Sequence, residues 1–374
     1  MSTENSAETT AGRTSTTDPN TTHPGATQPS STEPDVGRDL SQQPEAAEKT
    51  SSGTKLSLGH SLGLVLALAA LIAIGVITGG DRFLSLDNLM VILRQAAVVG
   101  VISIGVTFVI TSGGIDLSVG SVMGLATVWA TTLGTQALAA DTHWSVIVFT
   151  ALAVGAGAGL INGIIIAYGK VVSFIATLAM LVAARGFAEV ISGRRTQIVN
   201  NRDFLATFRG EFLGIPVIVW LFAAVAVAGW FLLNRTTFGR RTVAIGGNPE
   251  AARLAGIKVQ RHQVMVFALA GLCAGIAAVL MLSRTTAGTS TNGYLYELDA
   301  IAAVVIGGTL LAGGRGSIVG TVLGVLVFAV LTNVFVQNNL DQSVQALARG
   351  AILVLAVLLQ QRFARERQGA RRRT

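Results

Sequence analysis

The sequence predicts an all-α, polytopic membrane protein, and three observations support that prediction. Of its 374 residues, 51% are hydrophobic and only 13% are charged. Its mean hydropathy is +0.61. Beyond residue 57 the apolar residues form runs close to the ~20 residues that an α-helix needs to cross a bilayer. Together these features exclude an ordinary soluble domain.

The first 57 residues have a different composition from the rest. They are rich in Ser, Thr and Glu, contain five of the seven prolines and have no apolar run. Such a segment buries too little surface to offset the entropy lost on ordering. We therefore predict a disordered cytoplasmic tail over residues 1–57, a transmembrane domain over 58–361 and a basic cytoplasmic tail over 362–374.

About ten membrane spans follow the N-terminal tail. The eighth is short and interrupted by glycines, which predicts a broken or partly re-entrant segment. An even number of spans places both termini on the same side of the membrane. The predicted spans are residues 61–79, 89–111, 118–138, 145–168, 172–192, 214–233, 264–283, 298–312, 317–336 and 344–360.

The distribution of Lys and Arg predicts the orientation. With a cytoplasmic N-terminus, sixteen basic residues fall in inner loops and nearby tails and six fall outside. This excess favours cytoplasmic N- and C-termini. The largest inner loop, 234–263, holds six of the sixteen. The outer loop 193–213 opposes the trend with four arginines, and we interpret it as a docking surface for an acidic partner protein.

A short polar helix is predicted inside loop 234–263, in the segment GGNPEAARLAG. Asn248 suits the N-cap, Pro249 the first helical position and Gly256 a left-handed turn after the end. Glu250 in the first turn and Arg253 in the second complement the helix dipole. Capping residues on so short a cytoplasmic helix indicate that it docks on a partner.

Glycines four residues apart predict close helix crossings, because small residues let helices approach each other in lipid. Packing alone explains these repeats. The segments GGIDLSVGS (113–121) and GGRGSIVGT (313–321) are also similar, which suggests a duplicated architecture. The longer repeats are Gly155, Gly159 and Gly163, and Gly316, Gly320 and Gly324; shorter ones are Gly120 with Gly124 and Gly271 with Gly275.

Few polar side chains fall within the predicted spans. Asp116 either lines a substrate path or gate, or caps the helix that opens near Leu117, and the cap is the favoured interpretation. Arg185 and Glu189 are four apart on one helix and are expected to neutralise each other. The candidate residues for a translocation path or gate are Asp116, Ser118, Asn162, Thr177 and Asp299.

Several enzymatic signatures are missing from the sequence. It contains no Walker A pattern and no HExxH motif, and its four histidines do not cluster. The chain is therefore predicted to have no ATPase site, no metal site and no bound cofactor of its own. A membrane enzyme would need an acid/base or metal constellation that the sequence does not offer.

Four segments together resemble the membrane permease subunit of bacterial ribose-type sugar ABC importers, in the branched-chain amino acid/ribose permease superfamily. The resemblance covers about residues 60 to 360. Related permeases carry xylose, arabinose, galactose, inositol or autoinducer-2. The segments are GGIDLSVGSVMGL (113–125), SFIATLAMLVAARGFA (173–188), AIGGNPEAARLAGI (244–257) and ELDAIAAVVIGGTLLAGGRGSIVGTVLG (297–324).

The resemblance implies a permease dimer, usually of identical chains, in the bacterial cytoplasmic membrane. It implies a separate cytoplasmic ATPase that binds ATP and Mg, and an extracytoplasmic sugar-binding protein. Glu250, Ala251, Ala252 and Gly256 correspond to the helix that seats in a groove of that ATPase. The implied function is import of a ribose-, xylose- or galactose-like monosaccharide.

Two alternatives remain open at this point. One is a permease of the same class for nucleosides, autoinducer-2, branched-chain amino acids or another small solute. The other is an ion-coupled secondary transporter in which Asp116 or Glu189 is the coupling site. A secondary transporter of this kind would not explain the capped cytoplasmic helix, because it needs no cytoplasmic partner to drive transport.

Overall fold

The computed structural model describes residues 52–341, 343–348, 350, 351 and 354, with side chains from residue 62 onward. The expected disorder up to residue 51, much of the tenth predicted span and the basic tail 362–374 lie outside the described residues. The first helix begins at Ser52. The last six residues of the segment predicted to be disordered are therefore helical.

Between Ser52 and Gln337 the chain forms fourteen α-helices and four two-residue strands. In chain order these are α1 Ser52–Gly79, α2 Asp81–Leu84, α3 Leu86–Thr111, α4 Val119–Ala130, α5 Leu133–Asp141, α6 Ser145–Ala167, α7 Ser173–Ser192, β1 Gln197–Ile198, α8 Arg202–Arg209, β2 Glu211–Phe212, β3 Ile215–Pro216, α9 Val217–Arg235, α10 Thr237–Gly247, α11 Pro249–Leu254, α12 Val259–Thr285, β4 Ala287–Gly288, α13 Tyr296–Ile306 and α14 Ile318–Gln337. The described residues 343–348, 350, 351 and 354, within or next to the tenth predicted span, are also helical.

Seven of the described helices are long and apolar enough to cross a membrane: α1, α3, α6, α7, α9, α12 and α14. Five of them match a predicted span to within three residues at each end, whereas α1 and α12 begin nine and five residues before the predicted spans 61–79 and 264–283. The strands are short and form two antiparallel pairs, β1 with β4 and β2 with β3. The described part of the chain is thus a multi-pass helical membrane protein, as predicted.

The third predicted span is not one continuous helix, because α4 ends at Ala130 and α5 begins at Leu133. The Thr131 hydroxyl donates to the Thr127 carbonyl oxygen at 2.8 Å, and the Thr132 hydroxyl oxygen accepts from the backbone N–H of Thr135 at 3.3 Å. Threonine side chains that bond to nearby backbone in this way compete with helical bonds and cap a new helix.

The eighth predicted span, residues 298–312, is helical only over its first half. It corresponds to α13, which has eleven residues and ends at Ile306. Gly313 and Gly314 in the following turn have φ angles of +84° and +77°. Glycine adopts this left-handed region without the steric cost that other residues meet, so the chain turns here before α14.

The glycine repeat of α6 packs against that of α12, and α12 is with α3 the most buried of the long helices. A Cβ atom added at Gly155 would lie 2.6 Å from the backbone nitrogen of Gly275, and one at Gly159 would lie 2.9 Å from the Cα of Gly271. A Cβ at Gly157 would meet open space. Only glycine permits the two backbones to approach this closely.

The second long repeat lies against α13 and the end of α3. Gly320 packs on Gly307, and a Cβ at Gly324 would lie 3.0 Å from the carbonyl carbon of Ala303. Gly316 precedes α14 and faces the Thr111 side chain. This repeat therefore packs α14 against the broken eighth segment.

Candidate coupling surface and translocation path

The capping residues of α11 adopt the predicted geometry. The Asn248 Oδ1 atom accepts from the backbone N–H groups of Glu250 and Ala251, both at 3.0 Å, and Pro249 is the first helical residue. Gly256, just beyond the helix, has a φ of +81°. These contacts satisfy backbone groups that a six-residue helix leaves without internal partners.

The exposed face of α11 carries both charged and apolar side chains. Arg253 donates to the Glu250 carboxylate, and both side chains are 66% exposed. The hydrogen bond from Arg253 keeps the pKa of Glu250 below its ordinary value, so the carboxylate stays charged. Leu254 is 79% exposed, whereas Ala252 is buried against the rest of the chain. Ala252 therefore positions α11, and Leu254, which the sequence interpretation missed, belongs to the exposed face.

Helix α10, which the sequence interpretation did not include, connects α9 to α11. The Thr236 hydroxyl oxygen accepts from the backbone N–H of Gly239 at its N-terminus. The Thr242 hydroxyl bonds to His262 Nε2 at 2.8 Å, and both side chains are buried. This contact joins α10 to the first turn of α12. The two helices that flank α11 in the chain are therefore fixed against each other.

The backbone at the end of α10 meets the backbones of two loops next to α11, in a cluster that we call the glycine junction: Gly113, Gly246, Gly313 and Gly314. The backbone N–H of Gly314 donates to the Thr111 carbonyl oxygen at 2.9 Å. A Cβ added at Gly246 would lie 2.6 Å from the nitrogen of Gly314, and one at Gly313 would lie 2.9 Å from the Cα of Gly113. The junction thus connects the end of α10, next to α11, to the loops that precede α4 and follow α13.

Three predicted path residues, Asp116, Ser118 and Asn162, form one hydrogen-bonded network, and a fourth, Thr177, bonds to the backbone of the same loop. Asp116 Oδ1 accepts from the backbone N–H and hydroxyl of Ser118, at 2.8 and 2.6 Å, and the Ser118 hydroxyl oxygen accepts from Asn162 Nδ2 at 2.9 Å. Thr177 Oγ1 accepts from the Leu117 N–H at 3.2 Å. The sequence predicts that Asp116 caps a helix that opens near Leu117. Instead α4 begins at Val119, and the Asp116 carboxylate binds the backbone N–H of Ser118, the residue directly before that helix.

This network holds the loop before α4 in place. All four side chains are at most 1% exposed, and their bonds run to each other and to the loop backbone. Within the described residues, Asn162 Oδ1 has no hydrogen-bond partner. The fifth predicted residue, Asp299, lies on a different element, in the first turn of α13.

Replacing Asp116 with Asn is expected to change transport less than twofold. Asn keeps an oxygen that accepts from Ser118, whereas Asp116→Leu leaves buried donors unsatisfied at a cost of ~1–3 kcal/mol each. Thermal unfolding of both purified variants and their solute uptake check this. Normal unfolding with lost uptake in Asp116→Asn would show that the charge itself is needed.

Arg185 does not pair with Glu189, contrary to the sequence prediction. It donates to the carbonyl oxygens of Ser290 and Asn292, the latter at 3.1 Å, while Glu189 pairs with Arg194 at 3.1 Å. Carbonyl groups in the loop between β4 and α13 lack helical partners, so a nearby guanidinium satisfies them. Arg185 therefore fixes this loop instead of neutralising its own helix.

The loop between α7 and α9 has an apolar inner side and a basic outer side. Phe204 and Phe208 of α8 are buried, and the ring of Phe208 packs edge-on against Trp144. Four arginines are exposed along this loop: Arg194, Arg195, Arg202 and Arg209.

The seven helices that are long and apolar enough to cross a membrane define a multi-pass membrane protein. The chain belongs to the family described as "Branched-chain amino acid transport system / permease component", which it matches over residues 88–357.

Three relatives show how much of the chain is shared. The ribose import permease protein RbsC of Escherichia coli K12 is 40% identical over 299 residues, which is 79% of this chain and 92% of the relative. RbsC of Bacillus subtilis 168 is 41% identical, covering 82% and 93%. The xylose transport system permease protein XylH of E. coli K12 is 35% identical, covering 86% and 98%. No solved structure matches the chain.

Proposed function

We propose that the chain is the membrane-spanning permease subunit of an ATP-binding-cassette importer that brings a monosaccharide into the cytoplasm. The observation that supports this most is α11, a capped and exposed helix held between α10 and the membrane-spanning helix α12. The relatives named as ribose and xylose permeases support the substrate class. The chain supplies the conduit, and ATP with Mg binds to a separate ATPase.

In this mechanism α11 binds in a groove of the ATPase through its exposed face, which is formed by Glu250, Arg253 and Leu254. Closure of the ATPase on ATP displaces α11. The glycine junction passes that displacement to the loops before α4 and after α13, because touching backbones without side chains cannot absorb it by rotamer changes. Both loops join half-length helices, whose movement opens a path.

In the proposed importer the chain assembles with a second copy of itself and with a sugar-binding protein. Two copies form the permease in the bacterial cytoplasmic membrane, each with about ten spans and both termini inside. An extracytoplasmic sugar-binding protein with an acidic face docks on the outer surface that carries Arg194, Arg195, Arg202 and Arg209. Complementary charge of this kind fixes orientation and speeds encounter.

Reconstitution tests this function directly. The full chain is placed in liposomes with a candidate two-cassette ATPase and a candidate sugar-binding protein, and uptake of labelled ribose, xylose and galactose is followed. We expect uptake that requires both ATP and the ATPase. Uptake driven by an ion gradient without the ATPase would contradict the proposal. ATP-driven uptake of nucleosides or branched-chain amino acids, without sugar uptake, would overturn the substrate class alone.

A further inference from the structure

A basic pocket of about 290 Å³ lies where α12 begins, between α10 and the turn that follows α11. Arg241, Lys258 and Arg261 line it, with His262 buried beside them. No acidic side chain lines the pocket. Across the described part of the chain, none of the three cationic side chains forms a salt bridge. Three like charges thus face one space without a counter-ion.

The walls of this pocket are fixed before any ligand arrives. The bond between Thr242 and His262 holds α10 against α12, and the ring of Phe238 lies 4.5 Å from that of His262. Lys258 is the N-cap residue of α12, and in the described structure no side chain caps that helix. The exposed N–H groups of the first turn add partial positive charge to the three cations.

The pocket also has an apolar side. Lys258 directly precedes a 27-residue helix that is long and apolar enough to span a bilayer, so the cations lie at the depth of the lipid headgroups. Met265 lines the pocket one turn further into that helix and is 48% exposed, and Ile257 lines it as well. Cations at headgroup depth beside an exposed apolar side chain match a lipid that has a phosphate and an acyl chain.

We propose that this pocket binds the phosphate group of an anionic membrane phospholipid. The phosphate accepts hydrogen bonds from Arg241, Lys258 and Arg261 and offsets part of their charge, and the upper acyl chain lies along Met265. The bound lipid bridges α10 and α12 next to α11, and so stabilises the base of the coupling helix. This site depends on where the pocket lies in the membrane and not on which solute the chain transports.

A binding titration with the purified full-length chain tests the site. The chain in neutral detergent is titrated with dihexanoylphosphatidylglycerol, dihexanoylphosphatidylcholine or inorganic phosphate, and intrinsic fluorescence and thermal unfolding are followed. We expect saturable binding of the phosphatidylglycerol alone. The double variant Arg241→Gln/Arg261→Gln should bind it roughly thirtyfold more weakly, which is ~2 kcal/mol for two basic groups.

The matched control is Arg240→Gln, because Arg240 is an exposed neighbour on α10 that does not line the pocket. Its affinity should equal that of the unchanged chain. If the double variant does not fold, Lys258→Gln alone serves, with an expected loss of about fivefold for ~1 kcal/mol.

Four results would overturn the proposal. Equal affinity for the two lipids, or an equal loss in Arg240→Gln, would show that the pocket does not select an anionic headgroup. Inorganic phosphate that binds as tightly as the lipid would assign the pocket to a free anion. Pocket variants that keep lipid affinity but lose ATPase binding would assign it to an acidic segment of the partner protein.

Discussion

Replacing Leu254 with Ala should remove most ATP-driven uptake while leaving the amount of chain in the membrane unchanged. Leu254 ends α11 and is 79% exposed, beside the charged pair of Glu250 and Arg253. If that helix seats in a groove of an ATPase, this side chain is its apolar anchor. Truncation of such an anchor costs ~2 kcal/mol or more, roughly thirtyfold in affinity. Ala is a strong helix former, so α11 itself persists.

The measurement is the affinity of the solubilised chain for the ATPase, together with the ATP turnover that the chain stimulates. Val243→Ala is the matched control, because Val243 is also an exposed apolar residue, at 38%, but lies on α10 outside the coupling helix. That variant should behave as the unchanged chain does. If Leu254→Ala binds the ATPase and stimulates ATP turnover as well as the unchanged chain does, α11 does not dock through Leu254.

Features that depend on neighbouring residues could be predicted from the sequence. The N-cap bonds of Asn248, the position of Pro249 and the left-handed turn at Gly256 each follow from chemistry within a few residues. Seven long apolar runs gave seven long helices for the same reason, since length and hydropathy are properties of the segment alone.

Features that depend on distant segments could not be predicted in this way. Arg185 and Glu189 have the spacing of an intrahelical pair, yet Arg185 bonds to carbonyl groups more than a hundred residues later in the chain. The break at Thr131 has a similar origin, since its hydroxyl also lies 3.0 Å from the Gln197 side chain of the outer loop. Spacing shows which contacts are possible, and tertiary packing selects among them.

The candidate site shows both situations. Polarity within apolar runs singled out Asp116, Ser118, Asn162 and Thr177 as path or gate residues, and that role stays a prediction. The structure joins the first three by hydrogen bonds and places Thr177 against the backbone of the same loop. Their bonds to the loop backbone could not be inferred, because that loop is positioned by α6 and α7. The same holds for the glycine junction, whose members come from three segments.

Replacing Gly246 with Ala is expected to separate ATP turnover from transport. A Cβ at Gly246 would overlap the Thr111 carbonyl group and lie 2.6 Å from the backbone nitrogen of Gly314. Overpacking at such a contact costs ~1–3 kcal/mol and forces the backbones apart. The exposed face of α11 is unaffected, so the ATPase still binds. Uptake per ATP hydrolysed should fall about tenfold, because displacement of α11 no longer reaches the loops before α4 and after α13.

The neighbouring residue provides the control for this experiment. A Cβ at Gly247 would meet no atom within 4 Å, so Gly247→Ala makes the same chemical change in the last turn of α10 without a steric clash and should keep full uptake. Thermal unfolding of both variants separates a global loss of stability from a local one. Unchanged uptake per ATP in a Gly246→Ala chain of normal stability would show that force does not pass through the glycine junction. The remaining connections between α11 and the membrane-embedded helices would then be α12 and, through α10, α9.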